Sequence, residues 1–238
     1  MQARALFQDG NLDGAIEALN ADLRSDPTDR QRRTFLFELL CFSGAYERAE
    51  KQLDVIAEGG PDAAMGALLY QSALHGERIR QDMFGTRDFP GGGATLEPVS
   101  GTLNGNPFDT LEDADPRVGA RFEVFVAGQY TWLPMRQVST LRMEAPRRLR
   151  DLLWAPAAMT TTGDFEGDEL GEILLPVLAP LSWSHSNDAV RLGRMTEWVD
   201  LEGQPTPFGQ KLLLVDGEEF PILELRELEI APAVDSSS

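Results

Sequence analysis

The sequence predicts an α+β protein in which a short helical-repeat solenoid precedes a β-rich antiparallel domain with short helices. Three observations predict it: an internal repeat in the first third, a glycine- and proline-rich stretch near residue 95, and alternating hydrophobicity after that stretch. Helices first and strands later favour α+β over an alternating α/β order. We predict a helical domain over 1–90, a linker over 91–100, a β-rich domain over 101–231 and a frayed tail over 232–238.

The composition limits the classes of partner. The chain has 238 residues and a formal net charge of −18. Because a protein that binds phosphates needs a positive surface, this charge argues against a nucleic-acid partner and against a membrane surface. No run approaches the roughly 18 apolar residues of a membrane span, and the single cysteine, Cys41, cannot form an internal disulfide. We therefore expect a cytoplasmic protein without membrane insertion, in which Cys41 is an apolar core or groove residue.

The helical part contains a repeat with a period of 34 residues. Gly10, Leu12, Ala15, Leu19 and Pro27 recur as Gly44, Tyr46, Ala49, Leu53 and Pro61. The period and the residue types are those of the tetratricopeptide repeat, a helix–turn–helix unit. The glycines are expected at the break between the two helices, the alanines where helices approach closely, and the prolines where the second helix ends.

A capping helix and a groove follow from this repeat. The segment 63–84 keeps helical periodicity but has Arg78 where the next repeat glycine would fall, so we predict that it caps the solenoid. The first helices of such pairs line a concave surface that can hold a peptide or a helix. Carrying those inward positions onto this chain predicts these partner-binding residues: Phe7, Thr34, Glu38, Cys41, Phe42, Leu68, Ser72 and His75. For the apolar members of this set, packing in the core is an open alternative.

After the linker the hydrophobic pattern alternates with a period of two. The run 121–135 alternates apolar residues and turns at Gly128, which predicts an antiparallel hairpin. A strand is predicted over 138–144, followed by a short helix in 146–156 that Pro156 ends. Near the C terminus, an Asp-Gly pair at 216–217 between two apolar runs predicts a second hairpin.

Two acidic clusters are the candidates for chemistry. EDADPR, 112–117, places three acids before an arginine, and the segment 163–172 carries five acids. Because converging carboxylates can act as acid and base or bind a metal ion, a metal-dependent hydrolase is one hypothesis. The alternative is structural: Asp113 or Asp115 caps a turn or pairs with Arg117, and the second cluster is a solvated charge run. The sequence has no nucleophile or phosphate-loop motif, which favours a protein that is not an enzyme and needs no cofactor.

The segment 101–157 closely resembles the central signature of the ImpE family, also called SciE or TagJ, the accessory proteins of bacterial type VI secretion. The matching motifs are G-x-L-x-G-x-P-F, D-A-D-x-R-x-G, a G-x-Y-x-W-x-P hairpin and P-x-x-L-R-D-L-x-W-x-P-A. Residues 32–53 are similar to the helical region of that family, whereas 174–188 departs from its pattern. The resemblance implies these fold-signature residues: Asp113, Asp115, Arg117, Gly119, Tyr130, Trp132, Pro134, Asp151 and Trp154.

The same resemblance implies a cytoplasmic adaptor that is not an enzyme. It implies that the helical domain binds an N-terminal helix of the small contractile-sheath subunit and so connects the sheath with its ClpV-type disassembly ATPase. The groove deduced from the repeat is suited to such a helix. A second hypothesis is an assembly chaperone for an aggregation-prone secretion component, whose acidic surface keeps the complex soluble.

Overall fold

The helices occupy the first part of the chain and the strands the rest in a computed structural model that describes residues 2–90, 96–126, 128–162 and 169–232. This order confirms the predicted α+β class. The helices are α1 (Gln2–Gln8), α2 (Leu12–Ser25), α3 (Arg30–Phe42), α4 (Tyr46–Ala57), α5 (Pro61–Thr86) and α6 (Asp188–Arg191). None of the helices in the described ranges is long and apolar enough to cross a membrane.

The repeat residues take the places that the pattern predicts. Gly10 and Gly44 have φ angles of 81° and 72°, the left-handed conformation that ends α1 and α3. Ala15 and Ala49 are fully buried, so neighbouring helices approach closely at these positions. Pro61 stands in the first turn of α5, where its missing N–H leaves no helical hydrogen bond unmade.

The strands begin inside the stretch expected as a linker, at Val99. They are β1 (Val99–Leu103), β2 (Asn106–Asp113), β3 (Arg121–Val126), β4 (Gln129–Pro134), β5 (Val138–Met143), β6 (Trp154–Thr161), β7 (Glu169–Pro176), β8 (Thr196–Leu201), β9 (Gln204–Gly209), β10 (Leu212–Val215), β11 (Glu218–Pro221) and β12 (Glu227–Ile230). Within the described residues, one antiparallel sheet has the order β11-β10-β2-β1-β12-β5-β6-β7-β3-β4, and β8 pairs with β9. Both predicted hairpins, β3–β4 and β10–β11, are present.

The prediction of a helix over 146–156 is wrong in its length and in where the helix ends. A single 3-10 turn, Leu149–Leu152, is separated from β6 by Leu153, and Pro156 lies inside that strand. Pairing between β5 and β6 stops where Met143 faces Ala157. The missing N–H of Pro156 therefore falls beyond the end of β5, which is where a strand tolerates proline.

A buried charge network joins the two ends of the sheet to the last helix of the solenoid. Lys211, directly before β10, contacts Asp113 on β2 and Glu123 on β3, each at 2.5 Å. Because β10 and β3 lie near opposite ends of the strand order, the sheet must curl until these ends meet. Arg80 of α5 donates to both carboxylate oxygens of Glu123, at 2.7 and 3.2 Å. The network therefore fixes the solenoid to the closed side of the sheet.

The network keeps Glu123 ionised. Burial by itself raises the pKa of this carboxyl, but Arg80 and Lys211 outweigh burial and hold the pKa well below its usual range. Burial likewise raises the pKa of Asp113 to about 7, against the opposing charge of Lys211. Glu123 is thus the carboxylate that both buried cations share, and its removal would leave Arg80 with Glu77 and Lys211 with Asp113 as their remaining acidic partners.

We expect Glu123→Gln to lower the free energy of unfolding by about 3–5 kcal/mol, because it breaks the buried ion pairs with both Arg80 and Lys211 at once. The matched control is Glu227→Gln, whose partner Arg142 has a side chain that is 64% exposed. Exposed pairs contribute little, so this control should change stability by less than about 1 kcal/mol. Urea unfolding followed by circular dichroism measures both, and equal losses would contradict a special role for the buried carboxylate.

Candidate functional site

An open groove of about 670 Å³ lies between the solenoid and the segment that precedes β6. Its volume is within the range of roughly 300–1,000 Å³ that ligand sites occupy. The lining residues come from α1, from α3 and from the segment 147–150: Arg4, Phe7, Gln8, Arg30, Gln31, Thr34, Phe35, Glu38, Arg147, Arg148, Leu149 and Arg150. The groove is thus formed by the first helices of the two repeats together with a wall from the β-rich part.

Aromatic side chains form the apolar floor of the groove. Phe7 and Phe35 pack edge to face, with ring centroids 5.7 Å apart. Arg194, which follows α6, places its guanidinium 5.0 Å from the ring centre of Phe7 and donates to the carbonyl oxygens of Phe7 and Gln8. These carbonyls belong to the last residues of α1, where a cation is favourable. The β-rich part therefore holds α1 in place, and the floor is formed before any ligand binds.

Asp151 shapes the wall of the groove. Its Oδ2 accepts hydrogen bonds from the backbone N–H groups of Arg147 and Arg148, each at 2.9 Å. Leu149, the first residue of the 3-10 turn, packs against a core cluster formed mostly by the solenoid. Arg150 places its guanidinium 4.6 Å from the ring centre of Tyr70 on α5. A residue predicted only as part of the fold signature thus determines the shape of the candidate site.

Glu38 is the one acid among the described residues that line the groove. It is 7% exposed, and burial raises its pKa to about 7 against the opposing charge of Arg150. The Nη1 atom of Arg150 lies 3.9 Å from Oε1 of Glu38, too far for a hydrogen bond. Near neutral pH this carboxyl is therefore divided between its neutral and charged forms.

The structure separates the predicted partner-binding residues into three groups. Phe7, Thr34 and Glu38 line the groove. Cys41 and Phe42 are 3% and 1% exposed, so their assignment to a groove surface is corrected to the core. The physical reason is that residues from the β-rich part, Trp154 and Trp183 among them, close over the C-terminal end of α3. Burial also raises the pKa of the Cys41 thiol, as in a residue that only packs.

The remaining three predicted residues, Leu68, Ser72 and His75, lie on α5 outside the groove. The hairpin of β3 and β4 covers the inner face of this helix: a Cβ at Gly76 would lie 2.7 Å from the ring of Phe125. Ser72 is half-buried next to the turn of that hairpin, whereas His75 is exposed and Leu68 is 63% exposed. The hairpin thus occupies the surface that the third helix would offer to a ligand, which restricts the groove to α1 and α3.

The acidic motif 112–117 is structural. Asp115 accepts two hydrogen bonds from the Arg117 guanidinium, at 2.8 and 2.6 Å, and Asp113 accepts from the backbone N–H of Asp115 at 2.9 Å. The predicted pairing with Arg117 is confirmed. Across the described ranges, no group of three or more His, Cys, Asp or Glu side chains could hold a metal ion. In the second acidic segment, 163–172, residues 163–168 lie outside the described residues.

The other signature residues brace the interface between helices and sheet. Trp154 donates from Nε1 to Glu77 on α5 at 3.0 Å, and Tyr130 donates to Glu123 at 2.5 Å. Trp132 in turn donates to the hydroxyl of Tyr130. Gly119 takes a φ of 62° in the turn before β3, and Pro134 closes β4. These residues support the fold, and none of their hydrogen bonds within the described part of the chain joins them to a residue that lines the groove.

Sequence reasoning missed the charged residues of the interface. Arg80 and Glu123 are 43 residues apart, and no spacing rule links them. The one available signal was the acid inside the apolar strand RFEVFV, since a charge there needs a buried partner. Gln81 was also missed: its Oε1 accepts from the Leu181 N–H and from Trp183, in the segment that departs from the family pattern.

Fold and groove together define a class: a helical-repeat binding domain joined to a curled β-sheet domain, with a ligand-sized groove at their junction. The model of the ImpE protein family matches residues 105–229, and a tetratricopeptide repeat model matches residues 6–71. The chain belongs to the ImpE family, which confirms the resemblance found in its motifs.

Two relatives are informative. The chain is 35% identical to the type VI secretion system accessory component TagJ of Pseudomonas aeruginosa, across 98% of this chain and 92% of that protein. Its fold is similar to that of protein VPA1032 from Vibrio parahaemolyticus, known from an X-ray crystal structure, with a TM-score of 0.86. That match covers 98% of this chain and 99% of the other at 23% identity, so it bears on the fold alone.

We expect the stability of Glu38→Gln relative to the wild type to rise with pH. The pKa of Glu38 is about 7 in the folded protein against an ordinary value of 4.5, so its favourable contribution is present at low pH and is lost as the pH rises through about 7. The difference between the two proteins should shift by up to about 3 kcal/mol between about pH 5 and about pH 8. Urea unfolding at both pH values measures it.

The control for this experiment is Glu58→Gln, at an exposed position after α4. Its stability relative to the wild type should stay constant over the same pH range. A pH-independent difference for Glu38→Gln as well would show that this carboxyl does not titrate near neutrality.

Proposed function

We propose that this protein is a non-enzymatic accessory component of a bacterial type VI secretion system. In this proposal the groove binds a helix of the small contractile-sheath subunit, and the protein thereby links that subunit to sheath assembly or to disassembly by a ClpV-type ATPase. The observation that carries the proposal is the groove itself, which is open, has an aromatic floor and is formed by the first helices of peptide-binding repeats. Similarity to a relative named as a type VI secretion accessory component supports the biological setting.

The dimensions of the groove suit a helix. The lining positions of α3 run from 30 to 38, which corresponds to about 12 Å of helix at 1.5 Å per residue. Two turns of a bound helix can therefore lie along this side. Helices bound in grooves use apolar residues at i, i+3, i+4 and i+7 as anchors, and the edge-to-face pair of Phe7 and Phe35 offers a surface for them.

The β-rich part supports this function by keeping the groove rigid. It supplies the wall 147–150, and Arg191 and Arg194 contact α2 and α1 from the segment around α6. The N–H of Leu12, at the start of α2, donates to Asp188 at 2.8 Å. Because these helices are held before binding, little conformational entropy is lost when a ligand is bound.

We expect Thr34→Trp to weaken binding of the small sheath subunit by at least about tenfold, because an indole on α3 would fill the space that the bound helix needs. The experiment uses the full chain and a fluorescently labelled N-terminal helix peptide of the sheath subunit from the same organism, with anisotropy as the readout. Thr28→Trp, in the exposed loop before α3, introduces the same side chain away from the groove and should bind like the wild type.

The variant Leu68→Glu distinguishes binding in the groove from binding on the exposed surface of α5. Loss of binding in Leu68→Glu but not in Thr34→Trp would move the site to α5, and no binding by the wild type would contradict the proposed function. Co-sedimentation with assembled sheath would further support an adaptor. Binding to the free subunit alone would indicate an assembly chaperone instead.

A further inference from the structure

The groove is positively charged in a strongly acidic molecule. Five of its twelve lining residues are arginines and one is an acid, whereas the chain as a whole has a formal net charge of −18. Arginine stays protonated at any physiological pH. The lining therefore has a charge opposite to that of the molecule around it, and an apolar ligand alone would not need this arrangement.

Most of this positive charge is not neutralised by ion pairs with carboxylates in the described part of the same chain. Within the described ranges, Arg4, Arg30 and Arg148 form no ion pair with a carboxylate. Arg147 lies 3.3 Å from Glu144, but both side chains are more than three-quarters exposed, and pairs of this kind contribute little. Arg150 faces the buried Glu38, and Arg148 also lowers the pKa of this carboxyl against the rise that burial causes. Among the residues that the structure describes, the rim of the groove thus carries arginines that form no close buried ion pair with a carboxylate.

The backbone of the wall is held in place at two of its arginines. The backbone of Arg147 and Arg148 is bound to Asp151, so both guanidinium groups start from a rigid support at the edge of the aromatic floor. An apolar strip flanked by cations is complementary to a helix whose apolar stripe is flanked by carboxylates. Arginine also binds carboxylates through two parallel hydrogen bonds.

We propose that the groove selects an acidic amphipathic helix, with its apolar stripe on Phe7 and Phe35 and its flanking Asp or Glu residues facing Arg147 and Arg148. This inference rests on the proposed function, in which the groove holds a helix, and it names the chemistry of that helix. The β-rich domain then contributes specificity through the wall, while the solenoid contributes the apolar contact. Because the rim arginines are exposed, their main effect is attraction at short range and faster association.

The test uses the full chain and three synthetic peptides with the same leucine stripe. The first has Glu at the flanking positions, the second has Gln at those positions, and the third keeps the Glu residues but contains prolines that prevent a helix. At about 20 mM salt the first peptide should bind at least about tenfold more tightly than either of the others. At about 0.5 M salt its advantage over the Gln peptide should fall to about twofold, because the Debye length shortens.

The variant pair makes the test specific to the wall. Arg147→Glu/Arg148→Glu should abolish or reverse the preference for the acidic peptide. The control Arg24→Glu/Arg136→Glu changes the net charge by the same amount at two exposed positions outside the groove and should keep the preference. All of these substitutions are on exposed side chains, so the fold is expected to persist.

Several results would overturn the inference. These are equal affinity for the Glu and Gln peptides, equal affinity for the proline peptide, or the same loss in the control pair as in the wall pair. If the sheath subunit binds and Thr34→Trp blocks it while the peptides show no charge preference, the proposed function stands and only the acidic selectivity fails. If neither the sheath subunit nor any helical peptide binds, both fail together.

Discussion

The carboxylate of Glu123 is the contact on which the arrangement of the molecule depends. It accepts hydrogen bonds from Arg80 of the solenoid, from Lys211 beside β10 and from Tyr130 on β4. All of these groups lie at the interface of helices and sheet, where an unmatched charge is costly, so they must be satisfied together. The same contacts therefore fix both the curl of the sheet and the position of the solenoid. The wall 147–150 belongs to the sheet side, so these contacts also contribute to its position beside α1 and α3.

The interface between helices and sheet also explains why the repeat helices have two roles. One helix packs against the β-rich part, and two others form the groove. Gly44 ends α3 with a φ of 72°, and its missing Cβ lets the ring of Trp183 approach, since a Cβ would lie 2.5 Å from that ring. Gly76 likewise lets Phe125 pack against α5. The third helix of the solenoid is thereby used for binding the β-rich part. What stays open for a ligand is the surface of α1 and α3, completed by a wall that a repeat array alone would not contain.

Local signals in the sequence were sufficient for the repeat helices and the two hairpins, whereas non-local contacts decided the candidate site. The glycine break at Gly10 and the Asp-Gly turn at 216–217 act within a few residues, so the pattern predicts them directly. Helical periodicity also predicted that Thr34 and Phe42 lie on α3, but it could not show that the β-rich part would cover Phe42 and leave Thr34 open. Lys211 and Glu123 are 88 residues apart, and only the closed sheet brings them together.

An acidic ligand can bind this acidic protein because charges in salt solution act mainly over short distances. At physiological ionic strength the Debye length is about 8 Å, so charges elsewhere on the surface are largely screened from a helix in the groove. The nearest charges then dominate, and these are the arginines of the wall and rim. The remaining negative surface repels the same helix outside the groove, which disfavours wrong positions. The net charge of −18 and the cationic groove thus act in the same direction, because both favour the groove over the acidic surface around it as the place where an acidic helix binds.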